Sequence, residues 1–259
     1  DLPSNLQGVW QNRVGDHTRV PWASDYHMNV NLQMNYWPTY STNMAECATP
    51  LVDYINSLVE PGKVTAKTYF GVENGGFTAH TQNTPFGWTC PGWDFSWGWS
   101  PAALPWILQN CWEYYEYTGD VKYMEEHIYP MLKEAALLYD QILIEDTKTG
   151  RLVSAPAYSP EHGPVTAGNT YEQSLIWQLY EDAATAAEIL NVDKDKAAQW
   201  RERQAKLKPI EIGDSGQIKE WYTETTLGSM GQKGHRHMSH LLGLFPGDLI
   251  SVDNPEFMD

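Results

Sequence analysis

The chain has little positive charge, because 17 lysine and arginine residues stand against 33 aspartate and glutamate residues and the formal net charge is -16. Phosphate backbones and anionic membranes repel a protein of that charge at long range. We therefore expect no nucleic-acid partner and no membrane-surface partner. No apolar run approaches the ~20 residues of a membrane-spanning helix, so we also expect no membrane insertion.

Cysteine is scarce as well, with Cys47, Cys90 and Cys111 as its three positions. An odd number at wide spacing builds neither a disulfide framework nor a zinc knuckle, so the redox compartment stays undecided and we expect mostly buried thiols. The sequence also lacks a Walker loop, a GxGxxG fingerprint, a GxSxG elbow and an HExxH pair. We therefore expect no metal and no other cofactor.

Carboxamides and aromatic rings are abundant, above all between His27 and Pro38. Asn and Gln side chains carry donors and acceptors that match sugar hydroxyl groups, and Tyr and Trp rings offer flat apolar surfaces to the C-H face of a pyranose. Asn29 and Asn31 would point the same way in extended backbone, toward one ligand. This run predicts a carbohydrate-binding segment.

The apolar residues follow the periodicity of helices, and the 42% hydrophobic content of the 259 residues suffices for a large core. Short joints at 119–120 and 191–193 would make consecutive helices antiparallel neighbours. This favours an all-α array of hairpins. Because no repeat recurs at a fixed period, a regular solenoid is disfavoured and an α/α toroid stays open. We predict helices over 43–59, 100–118, 121–145, 170–190, 193–206 and 236–245, and long loops over 71–99, 150–169 and 208–234.

Glu161 is the best candidate for a general acid, because Pro160 and Pro164 hold its loop on stiff, non-helical backbone. A solvated glutamate in a surface turn is the alternative interpretation. Glu172 opens the helix predicted over 170–190, where a carboxylate complements the helix dipole. Contact with a substrate is the second possibility for Glu172.

Three imidazoles lie close in sequence at His235, His237 and His240. Zinc binding is disfavoured, because no Cys or carboxylate lies at typical ligand spacing. Recognition of hydroxyl groups by His235 or His237, with Arg236 holding a nearby carboxylate or carbonyl, explains the cluster more simply. If a helix begins here, His237 and His240 share one face. A structural cluster at the helix start is the alternative.

Tryptophans are concentrated between residues 88 and 112. Gly98 separates the indoles of Trp97 and Trp99, and its small size would leave room for a ligand. His80 lies in the same loop-rich segment and is a further candidate for ligand contact. Packing in the core is the alternative for each of these rings.

Together, several segments resemble the catalytic domain of glycoside hydrolase family 95, in the family's order and over nearly the whole chain. The resemblance implies an inverting α-L-fucosidase that cleaves terminal 1,2-linked fucose from glycans, with a catalytic (α/α)6 toroid between β-rich flanking domains. It also implies a secreted or periplasmic protein. The segments are Leu2 to Trp10, Pro21-Trp22, Asn29 to Pro38, Tyr158 to Glu161, Gly234 to His240 and Leu244 to Gly247.

The resemblance assigns roles to individual residues. Glu161 matches the general acid, and Asn31 matches an unusual base, an amide whose carbonyl accepts a hydrogen bond from the attacking water, with Asn29 beside it. Among the other candidates, His27, Trp99 and either His235 or His237 resemble the residues that contact fucose. An inverting mechanism places the acid and the water-activating group ~6.5 to 9.5 Å apart, and we predict that separation between Glu161 and Asn31.

A neutral amide is a weak base, so Asn31 needs a carboxylate partner. In the family this partner is an Asp nearer the C-terminus, in a motif like Gln-Ile-Asp-Gly-Asn-Phe-Gly, which this sequence does not contain. The chain also begins with Asp1 rather than Met, and it offers about half of the twelve helices of a toroid. We therefore expect residues 1–259 to be part of one (α/α)6 catalytic domain, without its C-terminal helices and flanking domains.

Two other functions stay open. The same scaffold could act on α-L-galactosides, which differ from L-fucosides by one hydroxyl at C6, and residues near His27 would decide between them. A non-catalytic glycan-binding protein is the other alternative, because the carboxylate partner is absent from this sequence. The residues set no oligomeric state.

Overall fold

The computed structural model describes residues 1–8, 24–92 and 94–258. Trp10, Pro21-Trp22 and Trp93, which belong to the segments singled out above, lie outside these residues. The described chain is mostly helical and forms two compact units, Asp1–Glu134 and Ala135–Asp259. No helix in the described ranges is long and apolar enough to cross a membrane.

The first unit is built from helices connected by loops. The helices are α1 (Asn31–Ser41), α2 (Thr49–Ser57), α3 (Val59–Phe70), α4 (Phe95–Gly98), α5 (Ala103–Thr118), α6 (Val121–Tyr123) and the beginning of α7 (Tyr129–Ile142). The central helix is α5, which packs against α1, and its first ten residues are all buried. The Tyr40 hydroxyl of α1 donates to the Asn110 carbonyl of α5 at 2.5 Å. A buried α5 therefore anchors α1, which carries Asn31.

The second unit contains the end of α7, a two-stranded hairpin and two long helices. Strands β1 (Ile144–Asp146) and β2 (Arg151–Val153) pair antiparallel, with Ile144 opposite Val153. Helices α8 (Thr170–Leu190) and α9 (Lys194–Lys206) form a hairpin around the buried Trp200. The guanidinium of Arg201 on α9 contacts Glu181 and Glu188 on α8. The hairpin fixes α8, whose first turn lies beside the loops described below.

Most of the predicted helices are confirmed. The segments predicted over 100–118, 170–190 and 193–206 form α5, α8 and α9, and the one over 43–59 forms a 3-10 turn followed by α2. The segment over 121–145 forms α6, a π-helical turn at Met124–Ile128 and α7, after which the chain turns into β1. Pro130 has no N-H to continue regular helical bonding, which accounts for the widened turn before it.

One expected helix is wrong. Residues 236–245 form only a short 3-10 turn, Ser239–Leu241, rather than a helix. Helix α3 lies outside the predicted helices, and Pro61 lies in its first turn, where the missing N-H costs nothing. The expectation that the cysteine thiols are mostly buried is also wrong. Of the three cysteines, Cys111 is buried, Cys90 is half-buried and Cys47 is exposed.

Candidate active site

His27 and Asn29 lie on a loop that leads into α1, and both are buried. Two backbone hydrogen bonds, of 3.0 and 2.7 Å, join residues 26–28 to residues 81–83. The Nδ1 atom of His27 lies 3.1 Å from Oδ1 of Asp25, which fixes the imidazole ring. The loop is therefore held on both its backbone and its side chains, as a recognition site requires.

The backbone around Asn31 differs from the extended conformation that was expected. Asn31 is the first residue of α1, and Val30 before it has φ 72° and ψ -35°. A positive φ is strained for a β-branched residue, and such strain often marks functional sites. Asn29 and Asn31 are thus separated by a sharp turn, and Asn31 is half-buried.

His80 has no exposed surface. Its Nδ1 accepts a hydrogen bond from the Ser100 N-H at 3.0 Å, and its ring lies 5.1 Å from the ring of Trp99 and 6.4 Å from that of Phe70. Burial lowers the pKa of His80 to about 3, so the ring is neutral at neutral pH. The His80 ring therefore packs against Trp99 and exposes no atom to solvent.

Trp97 and Trp99 flank Gly98 at the end of α4, but the space at Gly98 is not open. A Cβ atom there would lie 1.5 Å from the Pro91 carbonyl oxygen, so the glycine is required by the backbone of residue 91 rather than by a ligand. The expectation of ligand space at Gly98 is therefore wrong. Trp97 is 53% exposed, whereas Trp99 is half-buried and stacks on Phe95 at 5.3 Å.

In the second unit, residues 158–162 form a loop that carries Glu161, and the side chain of Glu161 is only 10% exposed. The Arg236 guanidinium donates to Oε2 of Glu161, and Nε2 of His237 lies 3.9 Å from the same oxygen. The Ser239 hydroxyl donates to the Pro160 carbonyl at 3.0 Å. The loop at 235–239 thus covers the loop at 158–162 and brings a cation to the carboxyl group.

The imidazoles beside Glu161 form a cluster, in which His162 and His235 stack and His237 meets His235 edge to face, rather than a helix face. The ring of His235 lies 4.0 Å from that of His162 and 5.0 Å from that of His237. Burial lowers the pKa of all three, and that of His162 falls to about 4. His237 and His240 do not share a helix face, because His237 approaches Glu161 while His240 approaches Glu220. Among the described residues, no group of three or more His, Cys, Asp or Glu side chains could hold a metal ion.

Glu172 lies in the first turn of α8 and is fully buried. Its Oε1 accepts a hydrogen bond from the Tyr158 N-H at 3.0 Å, and its own N-H donates to Oδ1 of the capping residue Asn169 at 2.8 Å. Burial raises the pKa of Glu172 to about 7. Glu172 therefore holds the start of the loop that carries Glu161.

Glu220 was not identified from the sequence. It is buried, its Oε1 accepts a hydrogen bond from the Ser159 hydroxyl at 2.5 Å, and the same atom lies 3.2 Å from Nε2 of His162. Nothing local to Glu220 indicates this position, because its partners lie about sixty residues earlier in the chain. A buried carboxyl group thus contacts both sides of Glu161.

The predicted site residues form one set in each unit. The first unit holds the predicted amides and indoles together with His27 and His80, and the second holds the predicted acid, Glu172, His235 and His237. Several candidate ligand groups keep some exposed surface, because Trp97 is exposed and five others are only partly buried: Asn31, Trp99, Glu161, His235 and His237. Glu172 and His80 have no exposed surface and act through their neighbours.

The described chain is mostly helical, and each of its two units carries candidate site residues on loops and at helix starts. The fold is similar to a solved structure described as "Putative kojibiose phosphorylase from human microbiome", with a TM-score of 0.55 and 13% identity over 68% of this chain and 27% of that one. At that identity the likeness concerns the fold alone. Residues 1–259 match the Glycosyl hydrolase family 95 catalytic domain, and the chain belongs to that family.

Curated relatives are similar over almost the whole chain. "Alpha-L-fucosidase 2" of Arabidopsis thaliana is 34% identical over 265 residues, which cover 98% of this chain and 30% of the relative. "Probable alpha-fucosidase A" of Aspergillus niger is 36% identical over 260 residues, which cover 96% of this chain and 32% of the relative. The chain thus spans about a third of the length of these relatives.

Proposed function

We propose that the protein containing this chain hydrolyses terminal α-1,2-linked L-fucose from glycans with inversion at the anomeric carbon. The observation that carries the proposal is the family match over all 259 residues, together with relatives named as fucosidases. Glu161 donates a proton to the departing glycosidic oxygen. Water attacks the anomeric carbon from the opposite face and loses a proton to the base assembled around Asn31.

The enclosure of the Glu161 side chain supports its role as the general acid. The carboxyl group is largely enclosed, and Arg236 and His237 contact it from the facing loop. Enclosure limits the orientations of a proton donor, and general acid catalysis requires the donor within hydrogen-bond reach of the leaving oxygen. The half-buried His235 and His237 are placed to bond sugar hydroxyl groups.

The amides support the water-activating role only in combination with a carboxylate. Asn31 and Asn29 lie on either side of a strained Val30, which fixes their relative directions. An amide oxygen accepts a hydrogen bond from water but does not take up its proton at neutral pH, so a carboxylate has to complete the base. We propose that this carboxylate is supplied by a part of the protein C-terminal to residue 259.

We further propose that residues 1–259 form part of an (α/α)6 toroid, because the chain is mostly helical and spans about a third of its relatives. The proposed separation of Glu161 from Asn31, ~6.5 to 9.5 Å, leaves room for the attacking water. His27, Trp97 and Trp99 would contact the glycan, with His80 supporting Trp99 and Glu172 supporting the loop that carries Glu161. A secreted or periplasmic location stays a prediction from the family.

The proposal is tested by hydrolysis of 2'-fucosyllactose, compared between the 259-residue chain and a form extended toward the C-terminus. We expect the extended form to release fucose and the shorter chain to be much less active. In the extended form, Glu161→Gln should lower kcat about 10²- to 10⁴-fold, because the amide cannot donate the proton. An inactive extended form that still binds the trisaccharide would indicate a glycan-binding protein instead.

The sugar preference is tested in the same assay with the matched α-L-galactoside, which adds one hydroxyl at C6. We expect the fucoside to be the better substrate. A pocket that tolerates an added hydroxyl discriminates by only about 10²-fold, whereas one built to bond it rejects the fucoside more strongly. Faster turnover of the galactoside would therefore assign the alternative specificity.

A further inference from the structure

The Glu220 carboxyl group contacts the loop on both sides of Glu161, at Ser159 and at His162. Its Oε1 accepts the Ser159 hydroxyl at 2.5 Å and lies 3.2 Å from Nε2 of His162. The Nδ1 atom of His162 accepts the Gln232 N-H at 2.9 Å, so the neutral ring carries its hydrogen on Nε2, facing Glu220. Glu220 therefore holds the loop by a hydrogen bond to Ser159, two residues before the proposed acid, and contacts it again at His162, one residue after.

Glu220 is itself held in place by its backbone. The Thr170 N-H at the start of α8 donates to the Glu220 carbonyl at 3.0 Å, and the Glu220 N-H donates to Oε2 of Glu224 at 2.7 Å. The ring of Trp221 packs so closely on Gly163 that an added Cβ there would lie 2.2 Å from it. Helix α8 thus provides a rigid base from which Glu220 reaches the loop.

The groups that face the Glu220 carboxyl are few and mostly neutral. They are Ser159, His162, His240, whose Nδ1 lies 3.9 Å from Oε2, and Glu224. Burial, with a contribution from the charge of Glu224, raises the pKa of Glu220 to about 7. A buried carboxyl group with no cationic side chain among these partners is costly to keep, which indicates a role beyond stability.

We infer that Glu220 is a positioning residue for Glu161: it holds the 158–162 loop so that the acid meets the glycosidic oxygen. The inference rests on the proposed function and extends it to a residue that does not itself touch the reacting atoms. Displacement of a catalytic group by about 1 Å can cost about 10²-fold in rate, so the loss of the hydrogen bond between Ser159 and Glu220 should be visible in turnover.

The test separates protonation of the leaving group from the rest of the reaction. In the C-terminally extended form, kcat/KM is measured on 2'-fucosyllactose, whose leaving oxygen needs a proton, and on α-L-fucosyl fluoride, whose leaving group needs much less help. We expect Glu220→Ala to lower the first by about 10²-fold and the second by less than about 5-fold. Glu161→Gln should show the same selectivity to a larger extent.

Two further variants test the hydrogen bond between Ser159 and Glu220. Glu220→Gln keeps a carbonyl oxygen for the Ser159 hydroxyl and should recover part of the loss. Ser159→Ala removes the same hydrogen bond from the other side, with little change in volume, and should repeat the selective loss on a smaller scale. The control is Asp140→Asn, a half-buried carboxylate in the same unit that accepts the Trp200 indole N-H at 3.1 Å, pairs with Arg203 and does not contact the loop.

The outcomes distinguish the positioning role of Glu220 from the proposed fucosidase function. A selective loss in Glu220→Ala and Ser159→Ala, and not in Asp140→Asn, supports the positioning role. Equal losses on both substrates would mean that Glu220 serves the fold alone and would overturn the inference while leaving the fucosidase intact. A wild-type protein that turns over neither substrate would overturn the proposed function, and the inference with it.

Discussion

Glu172 is a single residue whose ionisation the fold opposes, since burial raises its pKa from 4.5 to about 7. The folded protein therefore holds a proton that the unfolded chain releases between these values. Stability from this group is present below pH 4.5 and is lost as the pH rises through 7, a difference of about 3 kcal/mol. When the unfolding free energy is measured with urea between pH 4.5 and 7, Glu172→Gln should lose this part of the pH dependence. If the unfolding free energies of the variant and the wild type changed in parallel with pH, the prediction would be contradicted.

His80 should have the opposite effect, because burial lowers its pKa from 6.5 to about 3. The unfolded chain then binds the extra proton, so stability from the neutral ring is present above pH 6.5 and is lost as the pH falls toward 3, by about 5 kcal/mol. His80→Asn keeps an acceptor for the Ser100 N-H but loses the ring contacts. We expect it to be less stable at pH 7 and to approach the wild type on acidification; a constant difference in unfolding free energy would refute the prediction.

Some of these residues could be found from sequence and others could not. Glu161 is marked by the prolines around it, and Arg236 was expected to hold a carboxylate, which is Glu161 in the structure. No local sequence pattern identifies Glu220, because its partner Ser159 is distant in sequence and approaches it only in the folded chain. The ligand space expected at Gly98 is occupied by the carbonyl of Pro91, a contact that local sequence cannot indicate.

Among the elements, α3 depends on one glycine in its first turns. A Cβ atom on Gly62 would lie 2.7 Å from the Thr78 carbonyl oxygen and 2.9 Å from the Phe77 ring. Gly62→Ala gains helix propensity of about 1 kcal/mol, but the clash should cost about 1–3 kcal/mol, so we expect net destabilisation. Urea unfolding should give Gly62→Ala a lower unfolding free energy than the wild type.

A matched control for this variant is Gly234→Ala, where a Cβ atom would meet nothing within 4 Å and φ is not positive. It lowers the entropy of the unfolded chain in the same way without the clash. We expect its unfolding free energy to equal or slightly exceed that of the wild type. If Gly62→Ala were as stable as this control, the close approach of α3 to residues 77–78 would be wrong.

Helices with long apolar stripes were predictable, whereas elements that depend on context were not. Helix α8 buries most of its stripe, including Leu175, Leu179 and Ala183, and its predicted bounds agree with the structure. The helix predicted over 236–245 fails because its backbone and side chains bond to the loops instead, as when Ser239 donates to Pro160. Tertiary contacts there outweigh the local pattern.

At the scale of the whole molecule, each of the two units carries one set of the predicted site residues. The chain belongs to the Glycosyl hydrolase family 95 catalytic domain and spans about a third of its curated relatives. We propose that the completed protein supplies the carboxylate that Asn31 needs. The amide-rich run at 27–38 would then bind the sugar and hold its attacking water, while the loop at 158–162 delivers the proton.

The most direct test of the central claim is the anomer of fucose released first, observed by proton NMR while the C-terminally extended protein hydrolyses 2'-fucosyllactose. The proposed mechanism uses a single displacement by water, so β-L-fucose should appear first and α-L-fucose only later, through mutarotation. Initial release of α-L-fucose would contradict the roles assigned to Glu161 and Asn31, because retention requires a nucleophile close to the acid.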